Sequence, residues 1–121
     1  MITDLVLSGL KGRVRGMTDG LEQRRFLYKS DCVAALMQLF DGSQQSAEIA
    51  APEWVTIRCI GEEIARQLNV ETQFGDAKGS ECLVDPKEML PDWQPQLTLP
   101  EGISQVIAEA RAYLTEKSAA L

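Results

Sequence analysis

The sequence predicts a mainly α fold: three to four helices around one core, a short β-hairpin near residues 70–84, and a proline-rich crossover over residues 85–100. Three observations predict it. Apolar residues recur with a 3.6-residue period in two long segments. Gly42 and Asn69 stand where helices can end. Pro86, Pro91, Pro95 and Pro100 crowd one stretch, which forbids regular helix between them.

Along residues 1–18, Ile2, Val6, Leu10, Val14 and Met17 step by four and three, as on a helix face. Gly9, Gly12, Gly16 and Gly20 place a glycine in every turn, at about 1 kcal/mol each, so such a helix needs a partner. The alternative is a hairpin in which Lys11, Arg13 and Arg15 alternate with Gly12, Val14 and Gly16 after an extended Leu5–Val6–Leu7. The sequence favours the helix. Between Asp19 and Asp41, Asp19 and Glu22 form a capping pair, Gly42 is the stop, and Phe26, Val33, Leu36, Met37 and Phe40 are predicted to face inward. Ser30 and Asp31 offer a midway restart, so one helix and two short ones are both open.

A helix is predicted from Pro52 to about Leu68, with Trp54, Ile57, Ile60, Ile64 and Leu68 on its apolar face. Arg58, Glu62 and Arg66 form an i, i+4 charge ladder on it. Gly61 inside it implies a close neighbour or a mild bend, and Asn69 suits a left-handed end. Val70, Thr72 and Phe74 then alternate with polar residues, Gly75–Gly79 has turn chemistry, and Cys82–Leu83–Val84 is apolar: the hairpin of the predicted fold. Trp93, Leu97 and Leu99 are predicted to staple the crossover to the body, and an exposed extended segment presenting a recognition strip is the alternative. The last helix spans 100–117, with a Thr98/Glu101 capping box and Ile103, Val106, Ile107, Ala110 and Leu114 on one face.

At 121 residues and 45% apolar composition, the chain predicts a single compact helical domain over 1–121, with a basic amino-terminal segment at 1–29. No stretch approaches the roughly 20 apolar residues that span a bilayer, and Met1–Asp4 lacks the basic start of a signal peptide. The expectation is a cytoplasmic protein with no membrane contact. Cys32, Cys59 and Cys82 are an odd set without a CxxC pair, neither a disulfide framework nor a zinc knuckle. There is no histidine, which removes the commonest general base and metal ligand.

The net charge of −6 is unevenly spread. Residues 1–29 hold six bases (Lys11, Arg13, Arg15, Arg24, Arg25, Lys29) against three acids, a balance of +3, and the remainder holds six bases against fifteen acids, −9. With Phe26 and Tyr28 nearby, the basic set suits phosphates, an acidic partner surface, or intramolecular pairing with the acidic body.

Other motifs are weaker. Glu62–Val70 resembles the first helix and turn of helix-turn-helix DNA-binding domains, but the acidic, glycine-interrupted Glu71–Asp76 stands where that family places its recognition helix. Gly75–Ser80 has phosphate-loop residue types in the wrong order, with Lys78 before Gly79, and reads as a turn. Asp85, Glu88 and Asp92 lack metal-loop spacing and read as solvated carboxylates. Cys32 and Cys59 read as core thiols; Cys32, near a helix start, is the better nucleophile candidate.

No nucleophile–base pair, metal cluster or phosphate cradle can be assembled, so the sequence predicts no catalytic, cofactor-binding or metal residues and no enzyme. It predicts a small acidic interaction module of adaptor, assembly or secretion chaperone, inhibitor or immunity type, docking through an apolar helix face or extended strip. The predicted partner is another protein with a basic surface, or a second copy. Arg24, Arg25, Tyr28 and Trp93 are the partner-binding candidates, because Arg and aromatic residues dominate binding hot spots. A nucleic-acid-associated protein using the basic segment is the second reading, and a thiol-dependent enzyme the third.

Overall fold

The structure, a computed structural model, describes residues 1–42, 46–81 and 83–119. In chain order the elements are α1 (Ile2–Leu10), β1 (Arg13–Thr18), β2 (Gln23–Arg24), α2 (Lys29–Asp41), β3 (Val55–Thr56), α3 (Ile57–Leu68), β4 (Glu71–Ala77) and α4 (Leu99–Ala119). β1 and β4 pair in parallel, with Arg13 opposite Glu71 and Gly16 opposite Phe74. β2 and β3 form a short antiparallel pair through Gln23–Thr56 and Arg24–Val55.

The predicted mainly α class is therefore corrected to mixed α/β. Strand β4 exists where the alternation of Val70, Thr72 and Phe74 placed it, but its partner is remote. Parallel strands require a crossover connection, and here the route from β1 to β4 includes α3. The predicted 70–84 hairpin is absent among the described residues; Cys82 lies outside them.

The first segment is neither one helix nor a hairpin. Gly12, at φ +120°, ends α1 in a turn that L side chains avoid, and the chain leaves it as β1. The helix predicted over 19–41 begins only at Lys29. Asp19 is not a helix cap; its Oδ1 accepts from Leu21 N–H at 3.0 Å, and Glu22 accepts from Thr18 Oγ1 at 2.6 Å. The helix predicted from Pro52 starts at Ile57, because Thr56 Oγ1 caps Cys59 N–H at 3.0 Å while Val55 and Thr56 pair with β2. It ends as predicted on Asn69, left-handed at φ 55°, ψ 49°. Its charge ladder does not form. Arg66 pairs with Glu63, and Arg58 donates to Asp19 O at 3.0 Å and stacks over the Phe74 ring. Together Arg66 and Gln67 hold the Glu63 carboxyl down at about 2. The α4 capping box is present in both directions: Glu101 N–H donates to Thr98 Oγ1 at 3.3 Å, and Thr98 N–H to Glu101 Oε1 at 3.2 Å.

The core lies where α1, β1, α3 and α4 meet. Val6, Val14, Ile60 and Ile64 are fully buried, and Ile103, Ile107 and Ala110 close it from α4. From Arg111 to Ser118, α4 is exposed, Leu114 included. One inward set is reversed: Val33, Leu36, Met37 and Phe40 of α2 face solvent, with Ala35 and Asp31 buried on the other side.

Gly61 has the close neighbour that its place in a helix implied. A Cβ there would meet Phe74 Cζ at 2.6 Å and Val14 Cγ1 at 3.5 Å. Alanine gains about 1 kcal/mol of helix propensity but overpacks the α3–β4 contact, at about 1–3 kcal/mol. Gly61→Ala is thus expected to lower the urea midpoint, and Phe74→Leu in the same chain to recover most of the loss. A Gly61→Ala protein as stable as the parent would contradict this packing.

Candidate functional site

A cavity of about 820 Å³ opens between the start of α1, the segment leading into α2, the 50–53 loop, the crossover and α4. Three devices build it. The first is the run Arg25–Tyr28, which follows the short β2 pairing and turns Phe26 and Tyr28 towards the opening. The second is Asp31, only 4% exposed in the first turn of α2. Its Oδ1 accepts from Gln96 N–H at 2.9 Å and its Oδ2 from Leu97 N–H at 3.2 Å. Pro95 has no N–H to offer, so the next two residues supply the donors that fix the crossover as a wall. The helix N-terminus supports the carboxylate from the other side. The third is Arg25, whose Nη1 donates to Ala51 O and whose Nη2 donates to Asp85 Oδ1, each at 2.8 Å. Its guanidinium stacks on Trp54, which donates to the same Asp85 oxygen at 2.9 Å. These bonds pull the Asp85 carboxyl below its ordinary pKa, Trp54 first and Arg25 second.

The lining is largely apolar, with Phe26, Leu97, Ile103 and Val106, and it carries two amphipathic rings, Tyr28 and Trp93. At the rim, Glu109 of α4 accepts from Tyr28 Oη, and Lys29 Nζ donates to Glu109 at 3.0 Å. The Tyr28 bond, then Lys29, lowers the Glu109 carboxyl; the same contact raises Tyr28 and Lys29 above their ordinary values. A shallower depression of about 450 Å³ beside α3 and β4 is open to solvent and carries Glu62, Arg66 and Glu71 at its surface.

Of the four residues singled out from the sequence, the structure brings Tyr28 and Trp93 together in the cavity lining. Arg25 lies behind the wall, committed to Ala51, Asp85 and Trp54. Arg24 points elsewhere, donating to Ser80 O at 2.6 Å and to its neighbour's Gln23 O at 2.8 Å. It has no carboxylate partner among the described residues.

The basic segment is dispersed rather than gathered on one face. Arg13 meets Glu71, Arg25 meets Asp85 and Lys29 meets Glu109: the intramolecular pairing that the charge asymmetry allowed. Gly75–Ser80 is no phosphate loop, since β4 runs to Ala77 and Lys78 is tied to Asp19 at 2.8 Å. The helix-turn-helix likeness ends at Asn69, where a strand follows. Among the described residues no group of three acidic or thiol ligands could hold a metal ion. Cys59 is exposed and Cys32 half-buried, so neither is the core thiol expected; Cys82 lies outside the described residues. Sequence reasoning missed Asp31 and Glu109 as site builders. A carboxylate within reach of a proline-rich strand was the available signal for Asp31.

No family model matches the chain, and no curated protein matches it significantly. Its fold does match solved structures. dTDP-glucose 4,6-dehydratase from Bacillus anthracis, in complex with NAD, superposes with a TM-score of 0.74 at 17% identity, over 92% of this chain and 38% of that one. MoeE5, in complex with UDP-glucuronic acid and NAD, gives 0.73 at 20% identity, over 93% and 41%. UDP-glucuronic acid 4-epimerase from Bacillus cereus, in complex with UDP-glucuronic acid and NAD, gives 0.71 at 17%, over 93% and 40%. The chain thus spans about two-fifths of the length of the structures it matches, and it shares the fold of part of these Rossmann-like enzymes.

This finding corrects the functional expectation. The chains sharing the fold include a dehydratase and an epimerase, so the non-enzymatic adaptor, chaperone, inhibitor or immunity reading is overturned, and with it the expectation of no enzyme. The error had a physical source. The expectation rested on the lack of a nucleophile–base pair, and that criterion misses enzymes in which a cofactor carries the hard chemistry.

The rim contact yields a titration test. With Tyr113 replaced by Phe, leaving Tyr28 as the lone tyrosine, tyrosinate absorbance should show Tyr28 ionising above the ordinary tyrosine value. Adding Glu109→Gln should move that midpoint downward. An unchanged midpoint would show that Tyr28 and Glu109 do not meet.

Proposed function

We propose that this chain forms the substrate-binding part of an enzyme acting on sugar nucleotides, with the redox dinucleotide held by other sequence. One observation carries the reading. The chain has the fold of proteins solved with NAD and with UDP sugars, yet it contains no G-x-G-x-x-G run to cradle a dinucleotide pyrophosphate. The residues present do not fit NAD, so hydride chemistry is not assigned to them. The sugar nucleotide is the ligand class left for the cavity, whose volume lies in the range of small-molecule sites.

In this reading, Trp93 and Tyr28 offer rings to the nucleoside or sugar, and the Asp31-held crossover excludes water from one side. Lys29, in the cavity lining and held at the rim by Glu109, is the phosphate candidate. We place the protein in the cytoplasm, which the free thiols of Cys32 and Cys59 support. Among the described residues no helix is long and apolar enough to cross a membrane.

Calorimetry with UDP-glucose tests the reading. The chain is expected to bind UDP-glucose and not NAD, and Lys29→Ala to weaken binding roughly 10- to 100-fold, the range of a lost charged hydrogen bond. Trp93→Ala should weaken it while leaving the circular dichroism spectrum unchanged. Failure to bind UDP-glucose at millimolar concentration, or NAD binding of equal strength, would overturn it.

A further inference from the structure

Helix α2 is built the wrong way round for a surface helix. Its buried positions carry a small residue and a carboxylate, Ala35 and Asp31. Its large apolar residues, Val33, Leu36, Met37 and Phe40, follow the i, i+3, i+4, i+7 spacing of one continuous stripe and are 57%, 51%, 59% and 89% exposed. The helix is held from its inner side by the Asp31 bonds to the crossover, by Gln38 Nε2 donating to Pro91 O at 2.9 Å, and by the Lys29–Glu109 pair. Those anchors fix the stripe in an outward direction. A contiguous apolar face of this kind marks an interaction surface.

The comparisons indicate what covers it. Each matched structure superposes on nearly all of this chain and contains about one and a half times as much additional polypeptide outside the superposed part. That additional polypeptide belongs to proteins solved with NAD, while this chain lacks the dinucleotide fingerprint, so the proposed reading assigns the dinucleotide-binding body to polypeptide of that kind. We infer that the outer stripe of α2 docks against a Rossmann-like dinucleotide-binding body. The inference rests on the reading above for the existence of that body, and on the geometry of α2 for the place where it docks.

Photocrosslinking in the source cells tests it, with benzoylphenylalanine at position 33 or 36 of the full chain. The expected product is a crosslink, identified by mass spectrometry, to polypeptide of a body that carries a dinucleotide-binding glycine fingerprint. Phe40→Glu should cut its yield roughly thirtyfold, the loss expected at an interface hot spot. Because Phe40 is exposed, the variant should keep the parent's circular dichroism and core amide protection. Crosslinks to a second copy of this chain, to a protein without the fingerprint, or to nothing would each overturn the inference. The two claims fail separately. A chain that binds UDP-glucose but crosslinks only to itself refutes the docking surface alone, and one that finds the dinucleotide-binding body but no sugar nucleotide refutes the substrate reading alone.

Discussion

The carboxylate of Asp31 is the contact on which the site depends. It is nearly dry, it sits at the amino end of a helix, and it takes two backbone N–H groups from an irregular, proline-rich segment that has no sheet partner for them. Stranding two such donors without water costs about 1–3 kcal/mol each, so the bond fixes the segment rather than merely decorating it. From that anchor follow the position of Trp93 and Leu97 along the cavity, the entry into α4 at the Thr98 cap, and the orientation of α2 with its apolar stripe outward. Arg25 plays the matching part on the other wall by tying Ala51 and Asp85 to the same edge.

The part of the fold that is local was legible in the residues. The capping box at Thr98, the left-handed Asn69 and the crowded neighbour of Gly61 are short-range chemistry, and each is found in place. The part that is long-range was not. Alternation at Val70–Phe74 announces a strand without saying that its partner is Arg13–Gly16, nearly sixty residues earlier. A stripe such as Val33–Phe40 announces burial without saying whether the cover comes from this core or from another body. Periodicity measures amphipathicity, and here the apolar side is the outer side.

The site was legible to the same degree. Tyr28 and Trp93 were picked out as the residue types that bind, and both line the cavity. The function attached to them was wrong in class: the fold is shared with part of enzymes solved with NAD, and an inventory of catalytic side chains does not reveal that. The charge asymmetry was real, but Arg13, Arg25 and Lys29 are spent on carboxylates of the same chain. Arg24 is held by the Gln23 and Ser80 carbonyls away from the cavity, and Lys29 is the cation in its lining.

Amide hydrogen exchange at Gln96 and Leu97, compared between the parent and Asp31→Asn, probes this anchor without intermediaries. An amide side chain can accept one of the two bonds and must oppose the other. Slow exchange is expected at both amides in the parent, with loss of protection for at least one in the variant and unchanged protection at Ile60 and Ile64. Equal exchange at Gln96 and Leu97 in the two proteins would contradict this, because the wall of the cavity would then be held by something other than Asp31.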